Sequence, residues 1–164
     1  MNSSVVCPVP VEQRPINEYQ DLKTSWFFRW ATLDLVGYIK PVVVLWGLSW
    51  LLAGPVAAVS FSPAKYPLQY ALLGAAGATI IPALALLRLY LGWSYVKTRL
   101  LNITVFYEES GWYDGQTWEK PIEVLTQDRL IVTYQIEPIL QRLKRTFIFF
   151  GAAFLGGGLV WWIL

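Results

Sequence analysis

Three runs of this chain carry no charged residue and are each long enough to cross a lipid bilayer. They extend from Pro41 to Val59, from Leu68 to Leu87 and from Thr146 to Leu164. A helix needs about 20 mostly apolar residues to cross the hydrocarbon core, where every backbone polar group must bond within its own segment. Three such helices in 164 residues leave little for anything else. The expected fold class is therefore a mainly α membrane protein. It has three transmembrane helices (41–59, 68–87, 146–164), an N-terminal segment over 1–40 and one polar module over 88–145. Charged residues make up 15% of the chain, against about 25% in a soluble domain.

Charge sets the expected orientation. Twelve of the 13 lysines and arginines lie in 1–40 and 88–145, and only Lys65 lies in the short loop between the first two spans. The positive-inside rule places the N-terminus and the 88–145 module on the cytoplasmic-type side and the C-terminus opposite. No Asp, Glu, Lys or Arg falls inside a span, which argues against a carrier or channel. A net charge of +2 is too weak to suggest a nucleic-acid partner. The membrane lipid itself is an expected partner.

Residues 1–40 show no apolar core behind a basic start, and Glu12, Glu18 and Asp21 are atypical of a transit peptide, so no targeting segment is expected there. The run from Cys7 to Pro15 holds three prolines and reads as extended. Asn17 then caps a helix that would place Tyr19, Leu22, Trp26, Trp30 and Leu33 on one face. Trp26, Phe27, Phe28 and Trp30 are candidate anchors in the lipid headgroup layer, where indole is at home. The alternative is that this face packs on the protein's own hairpin module.

Small residues in the spans form the pairs Ala53/Ala57, Gly54/Ala58, Ala152/Gly156 and Ala153/Gly157, which let helices approach closely, within the chain or onto another protein. Pro55 and Pro82 are expected to kink the first two spans.

In the polar module, Leu89 to Val96 extends the second helix, and Ile103 to Glu108 alternates as a strand does. Asp114-Gly115 fits a two-residue hairpin turn that would set Trp112 across from Thr117. A lone two-stranded ribbon is marginal in water, so it should pack on neighbouring segments. Residues 121–136 read as helix or strand, with helix preferred and an apolar face of Ile122, Leu125, Leu130, Ile131 and Tyr134. Pro138 is expected to open a last helix running into the third span.

Chemistry is sparse. The sequence has no histidine, which removes the commonest general base and the commonest ligand for zinc, haem and chlorophyll. Glu108, Glu109, Asp114, Glu119 and Glu123 read as a solvated rim, because adjacent Glu108 and Glu109 point to opposite faces of a strand. Cys7-Pro8 matches a minimal haem-sensing dipeptide, a pattern too short to carry weight beside the reading of an inert lone thiol. No catalytic or metal site is assigned, and no enzyme is expected. Chlorophyll or haem would need ligands other than histidine, so no cofactor is expected and any cofactor-binding residues are unknown.

Cys7 to Pro15, Ser25-Trp-Phe-Phe-Arg-Trp30, Leu87 to Val96, Tyr107-Glu-Glu-Ser-Gly-Trp-Tyr-Asp-Gly-Gln116 and Gln127 to Ile131 resemble an uncharacterised family. It comprises the chloroplast reading-frame proteins of cyanobacteria and plastids, conserved in the green lineage and diatoms. The resemblance runs from Cys7 to the last span. It implies a thylakoid protein linked to photosynthesis, with the positive side facing cytoplasm or stroma. It supplies no catalytic residues.

These readings together suggest a non-catalytic accessory or assembly factor whose partners are subunits of a photosynthetic membrane complex, photosystem II first among them. Trp93, Tyr107, Glu108, Glu109, Trp112, Tyr113, Asp114 and Trp118 are its candidate partner-binding surface. The alternative is a pigment- or lipid-handling membrane protein, and a membrane enzyme using the acidic hairpin is the third reading.

Overall fold

Proline decides where the first helix begins. In the computed structural model, which describes residues 6–108 and 115–164, Pro15 stands at the start of α1 (Pro15–Thr24) behind an extended Arg14. A missing N–H costs nothing there, and the ring already holds a helical φ. Asn17 is therefore not the cap; it lies in the first turn, and its amide donates to Val11 O at 2.6 Å. The helix is also shorter than its aromatic spacing suggests. It stops at Thr24, Ser25 is extended, and a separate 3₁₀ turn spans Phe28–Thr32. Thr24 Oγ1 donates back to Gln20 O at 3.0 Å, a local bond of the kind that bends or ends helices.

Three long helices follow the apolar runs. Asp34 caps α2 (Leu35–Ser60), its Oδ1 accepting from Gly37 N–H at 3.2 Å. Next come α3 (Pro67–Leu101), then β1 (Thr104–Glu108) and β2 (Gly115–Glu119), then α4 (Ile122–Ile131). A wide π turn over Val132–Ile136 leads from α4 into α5 (Glu137–Ile163). The helices Leu35–Ser60, Pro67–Leu101 and Ile122–Ile163 are long and apolar enough to cross a membrane. Pro41 and Pro55 lie within α2, and Pro82 lies within α3.

Residues 122–136 are helical, as preferred, and Pro138 stands in the first turn of α5, which follows the π turn without a break. Its ring would crowd the carbonyl four residues back in a regular helix. The preceding π turn, where Glu137 N–H bonds Val132 O, widens the backbone at that point, and the helix continues.

The hairpin exists, in a different register. β1 and β2 are antiparallel, pairing Val105 with Trp118, Phe106 with Thr117 and Glu108 with Gly115. Gly115 therefore belongs to the ladder, the two strands are joined through 109–114, and Thr117 faces Phe106 where Trp112 was expected. Burial fixes this register: Val105 and Tyr107 point inward onto Val9, with Cys7 and Trp118 against the same cluster. A one-residue slip would turn both out. The proline-rich lead-in thus supplies the layer that the ribbon needs, and Cys7 is half-buried rather than on a free tail.

The chain forms two compact units, one from Met1–Arg29 with Leu91–Leu140, the other from Trp30–Tyr90 with Gln141–Leu164. In the second, α2 and α3 meet at small residues. An added Cβ on Gly77 would stand 3.2 Å from Ala53 Cβ, the Trp50 ring fills the space over Gly74, and Ala57 is buried. Tyr38 Oη and Thr146 Oγ1 share a hydrogen bond of 2.8 Å, and Phe61 meets Trp161 edge-on at 5.2 Å. The small residues of α5 differ: Ala152 and Ala153 are exposed, and Gly151, Gly156 and Gly158 have open space where a Cβ would stand.

Candidate functional site

The first unit is built around the C-terminus of α3. A helix end leaves carbonyls without partners and a partial negative charge, which a cation can satisfy. Lys120, at the end of β2, reaches that end. Its Nζ donates to Arg99 O at 3.2 Å, Leu100 O at 2.9 Å and Asp128 Oδ2 at 2.6 Å. An ammonium has three protons, and all three are used. The side chains of Lys120 and Asp128 are only 1% and 6% exposed, so this ion pair is buried.

Neighbouring contacts tie α1 to the same helix. Arg99 Nη2 donates to Gln13 O at 2.9 Å, and Arg99 Nε lies 3.1 Å from Glu18 Oε2. Tyr19 packs edge-on against Trp93 and its hydroxyl donates to Gln135 Oε1. Trp93 Nε1 donates to Phe28 O at 3.3 Å, and an added Cβ on Gly92 would meet the Phe28 ring at 2.3 Å. The α1 face proposed for the headgroup layer thus packs in part on the chain's own α3.

Burial raises the Glu18 carboxyl above its ordinary 4.5, the attraction of Arg99 opposes the rise, and Asp21 adds to it. A raised folded pKa means that the folded state holds the proton more tightly than the unfolded one. Glu18's contribution to stability is then fully present below 4.5 and is lost as pH rises through the raised value. Wild type should therefore lose ground against Glu18→Gln as pH rises across that window. Urea midpoints of both proteins in detergent would check this, and a constant difference would contradict it.

The expected partner surface is rearranged. Trp93 and Tyr107 are buried, at 0% and 5% exposure, because they form the packing of the first unit. Trp118 is half-buried on the hairpin cluster. Glu108 is exposed, and its N–H and C=O pair with the Gln13 side-chain amide at 2.9 and 3.0 Å. Glu109, Trp112, Tyr113 and Asp114 lie outside the described residues. Of the candidate anchors, Trp26 is 90% exposed and meets Phe27, and Phe27 meets Phe28 edge-on. Trp30 is buried, its Nε1 donating to Tyr38 O at 2.7 Å.

The apolar face of α4 is only partly covered. Of the apolar face read from the sequence, Ile122 is 83% exposed, Leu130 52% and Tyr134, in the π turn, 74%, while Leu125 and Ile131 are half-buried. What faces inward is Asp128, Val132 and Ile136, spaced by four. Lys120 makes this arrangement affordable by satisfying the one carboxylate on that face. Neither Lys120 nor Asp128 carries a sequence signal beyond a charged residue at each of two places, so the pair was missed. Among the described residues, no group of three or more His, Cys, Asp or Glu is placed to hold a metal ion.

The fold defines a small helical protein with three membrane-length helices and a hairpin-bearing unit. Its sequence matches, over residues 7–149, the CGLD27-like family, described as conserved in the green lineage and diatoms. The chain belongs to that family. It is 49% identical to the uncharacterized protein ycf36 of Porphyra purpurea, over 85% of each chain. It is 46% identical to the chloroplastic protein Conserved in the Green Lineage and Diatoms 27 of Arabidopsis thaliana, covering 88% of this chain and 44% of that one. The ycf36 protein of Cyanophora paradoxa is also 46% identical, over 85% of this chain and 88% of its own. No solved structure matches.

Proposed function

We propose that this chain is a non-catalytic accessory or assembly factor of a photosynthetic membrane complex, with photosystem II the first to test. It would lie in the thylakoid membrane with its N-terminus and residues 88–145 on the cytoplasmic or stromal side. One observation carries the reading: α4 and the π turn after it leave three large apolar side chains exposed. Ile122, Leu130 and Tyr134 recur at spacings of eight and four, on one face, in a segment bordered by Glu119, Glu123 and Arg129. A charged neighbourhood of this kind is not hydrocarbon, so lipid tails are a poor cover for the stripe. Apolar patches rimmed by polar residues are typical docking faces, and Tyr is among the residues that anchor them. The chloroplastic relative and the family's range among phototrophs supply the kind of partner.

Because these side chains are exposed, polar replacement should spare the fold. Leu130→Glu with Tyr134→Glu is expected to leave membrane insertion and far-UV circular dichroism unchanged. Co-purification of photosynthetic complex subunits with the tagged protein should fall about ten-fold or more, matching the loss of a hot-spot pair. Undiminished co-purification would overturn the reading.

A further inference from the structure

We propose that the turn around Trp26 is an interfacial anchor, with its indole seated between the lipid headgroups and the acyl chains. It would set the depth of the first unit at the membrane. This rests on the helices spanning the membrane, and on no partner protein.

Tryptophan is a side chain that folded proteins usually cover for most of its area. Of the tryptophans described in the first unit, Trp93 is buried and Trp118 half-buried, yet Trp26 is 90% exposed. The backbone presents it by design of the turn. α1 ends at Thr24, and Arg29 N–H donates to Ser25 O at 2.9 Å, closing a loop with Trp26, Phe27 and Phe28 at its tip. Phe28 ties this tip to α3: its carbonyl accepts from Trp93 Nε1 at 3.3 Å, and its ring fills the room left by Gly92. Trp26 lies 6.2 Å from Phe27 and Phe27 lies 5.3 Å from Phe28, between ring centroids.

The attachment to α3 gives the turn a level. α3 is one helix from Pro67 to Leu101, and its charge-free run ends at Leu87. Gly92 stands four residues past Arg88, about 6 Å along the axis. A headgroup layer is about 5–7 Å thick on each side of the hydrocarbon core. The α3 side chains at this level suit the same layer. Leu91 and Tyr95 are both exposed, and the Arg99 guanidinium lies over the Tyr95 ring at 6.0 Å.

Lipid is the occupant that fits. A bilayer surrounds a span on every side, so an exposed ring held at headgroup level meets lipid whichever way its turn faces. Indole has an apolar body and one N–H edge, which is why tryptophan concentrates at both interfaces. The charges beside it, Asp21, Lys23 and Arg29, are of mixed sign. Burial of the ring therefore does the anchoring, and zwitterionic lipid suffices.

Because Trp26 is exposed, replacing it should spare the fold. The test uses the full chain with Cys7→Ser in phosphatidylcholine nanodiscs, carrying one nitroxide label at Trp26→Cys. A second sample carries the label at Ile122→Cys, a position 83% exposed and two residues past Lys120, which caps the C-terminal end of α3. Oxygen concentrates in the bilayer, whereas a nickel chelate stays in water. At position 26 oxygen should relax the label more than the chelate does, and at position 122 the order should reverse. A chelate effect that dominates at 26, a label there shielded from both reagents, or one order at both positions would overturn the proposal. If the labelled chains fail to fold, Trp26→Phe serves instead. The emission it removes should be emission that chain-brominated phosphatidylcholine quenches in wild type; removed emission insensitive to bromine would equally overturn the anchor. Because no partner is present, such a failure is separate from failure of the docking reading.

Discussion

Lys120→Met is expected to cost about 3–5 kcal/mol, the range for removing one partner of a buried ion pair. Methionine keeps the length and apolar stem of lysine but brings no donor. Asp128 would be left as a carboxylate at 6% exposure without its cation, and the Arg99 and Leu100 carbonyls would lose their cap. The cost comes from the groups left behind, so removing the second charge should recover much of it. Lys120→Met with Asp128→Leu is expected to be clearly more stable than Lys120→Met alone. Lys97 with Glu137 makes an ion pair of the same 2.6 Å length, but its side chains are 28% and 37% exposed. Lys97→Met should therefore cost no more than about 1 kcal/mol. Urea midpoints in detergent, followed by tryptophan fluorescence, would rank the variants. Equal effects at Lys97 and Lys120 would contradict this account of the first unit.

Gly74→Leu is expected to disrupt the second unit. A Cβ at Gly74 would stand 2.4 Å from Trp50 Cζ3 and 2.6 Å from Cη2, so even alanine overlaps the ring. Trp50 has little room to retreat, because Trp46 and Tyr70 lie 5.7 and 6.1 Å from it between ring centroids. Overpacking of this kind costs about 1–3 kcal/mol, and leucine adds further atoms to the same slot. The comparison that isolates the cause is Gly156→Ala, where nothing lies within 4 Å of the new Cβ. There the higher helix propensity of alanine should act alone, giving a neutral or slightly stabilised protein, by up to about 1 kcal/mol. Thermal unfolding of the three proteins would distinguish a packing role for Gly74 from a general need for glycine.

Features that depend on solvent were readable from the sequence. Charge-free length marks a membrane helix because hydrocarbon tolerates neither ions nor open backbone, and all three apolar runs lie within long helices. Alternation at Ile103–Glu108 marks a strand for a similar reason, since one face needs cover. Features that depend on a partner far along the chain were not readable. The hairpin register is set by Val9, almost a hundred residues before the strands it covers. That α4 turns Asp128 inward was not readable, because periodicity assumes that charge turns outward. Asp128 breaks that assumption only because Lys120 meets it, and nothing near Asp128 announces the pairing. Trp93 was placed on a partner surface because aromatic residues often anchor interfaces; Tyr19 and Phe28, brought over from the N-terminal segment, pack on it instead. For the candidate site, the residue types were visible and their exposure was not.

The exposed residues of α4 and the π turn bear on the proposed docking as well. A unit that buries a carboxylate while exposing isoleucine, leucine and tyrosine forgoes some of its own hydrophobic burial, and an external partner would restore it.

The most direct test is to solubilise the tagged protein from thylakoid membranes in mild detergent. The extract would be resolved on a native gel, with an absorption spectrum recorded and co-migrating proteins identified. The account predicts a band that runs with photosystem subcomplexes and loses them when Leu130 and Tyr134 become glutamate. A protein that migrates alone would contradict it, and a stoichiometric pigment on that lone band would favour the pigment-handling alternative.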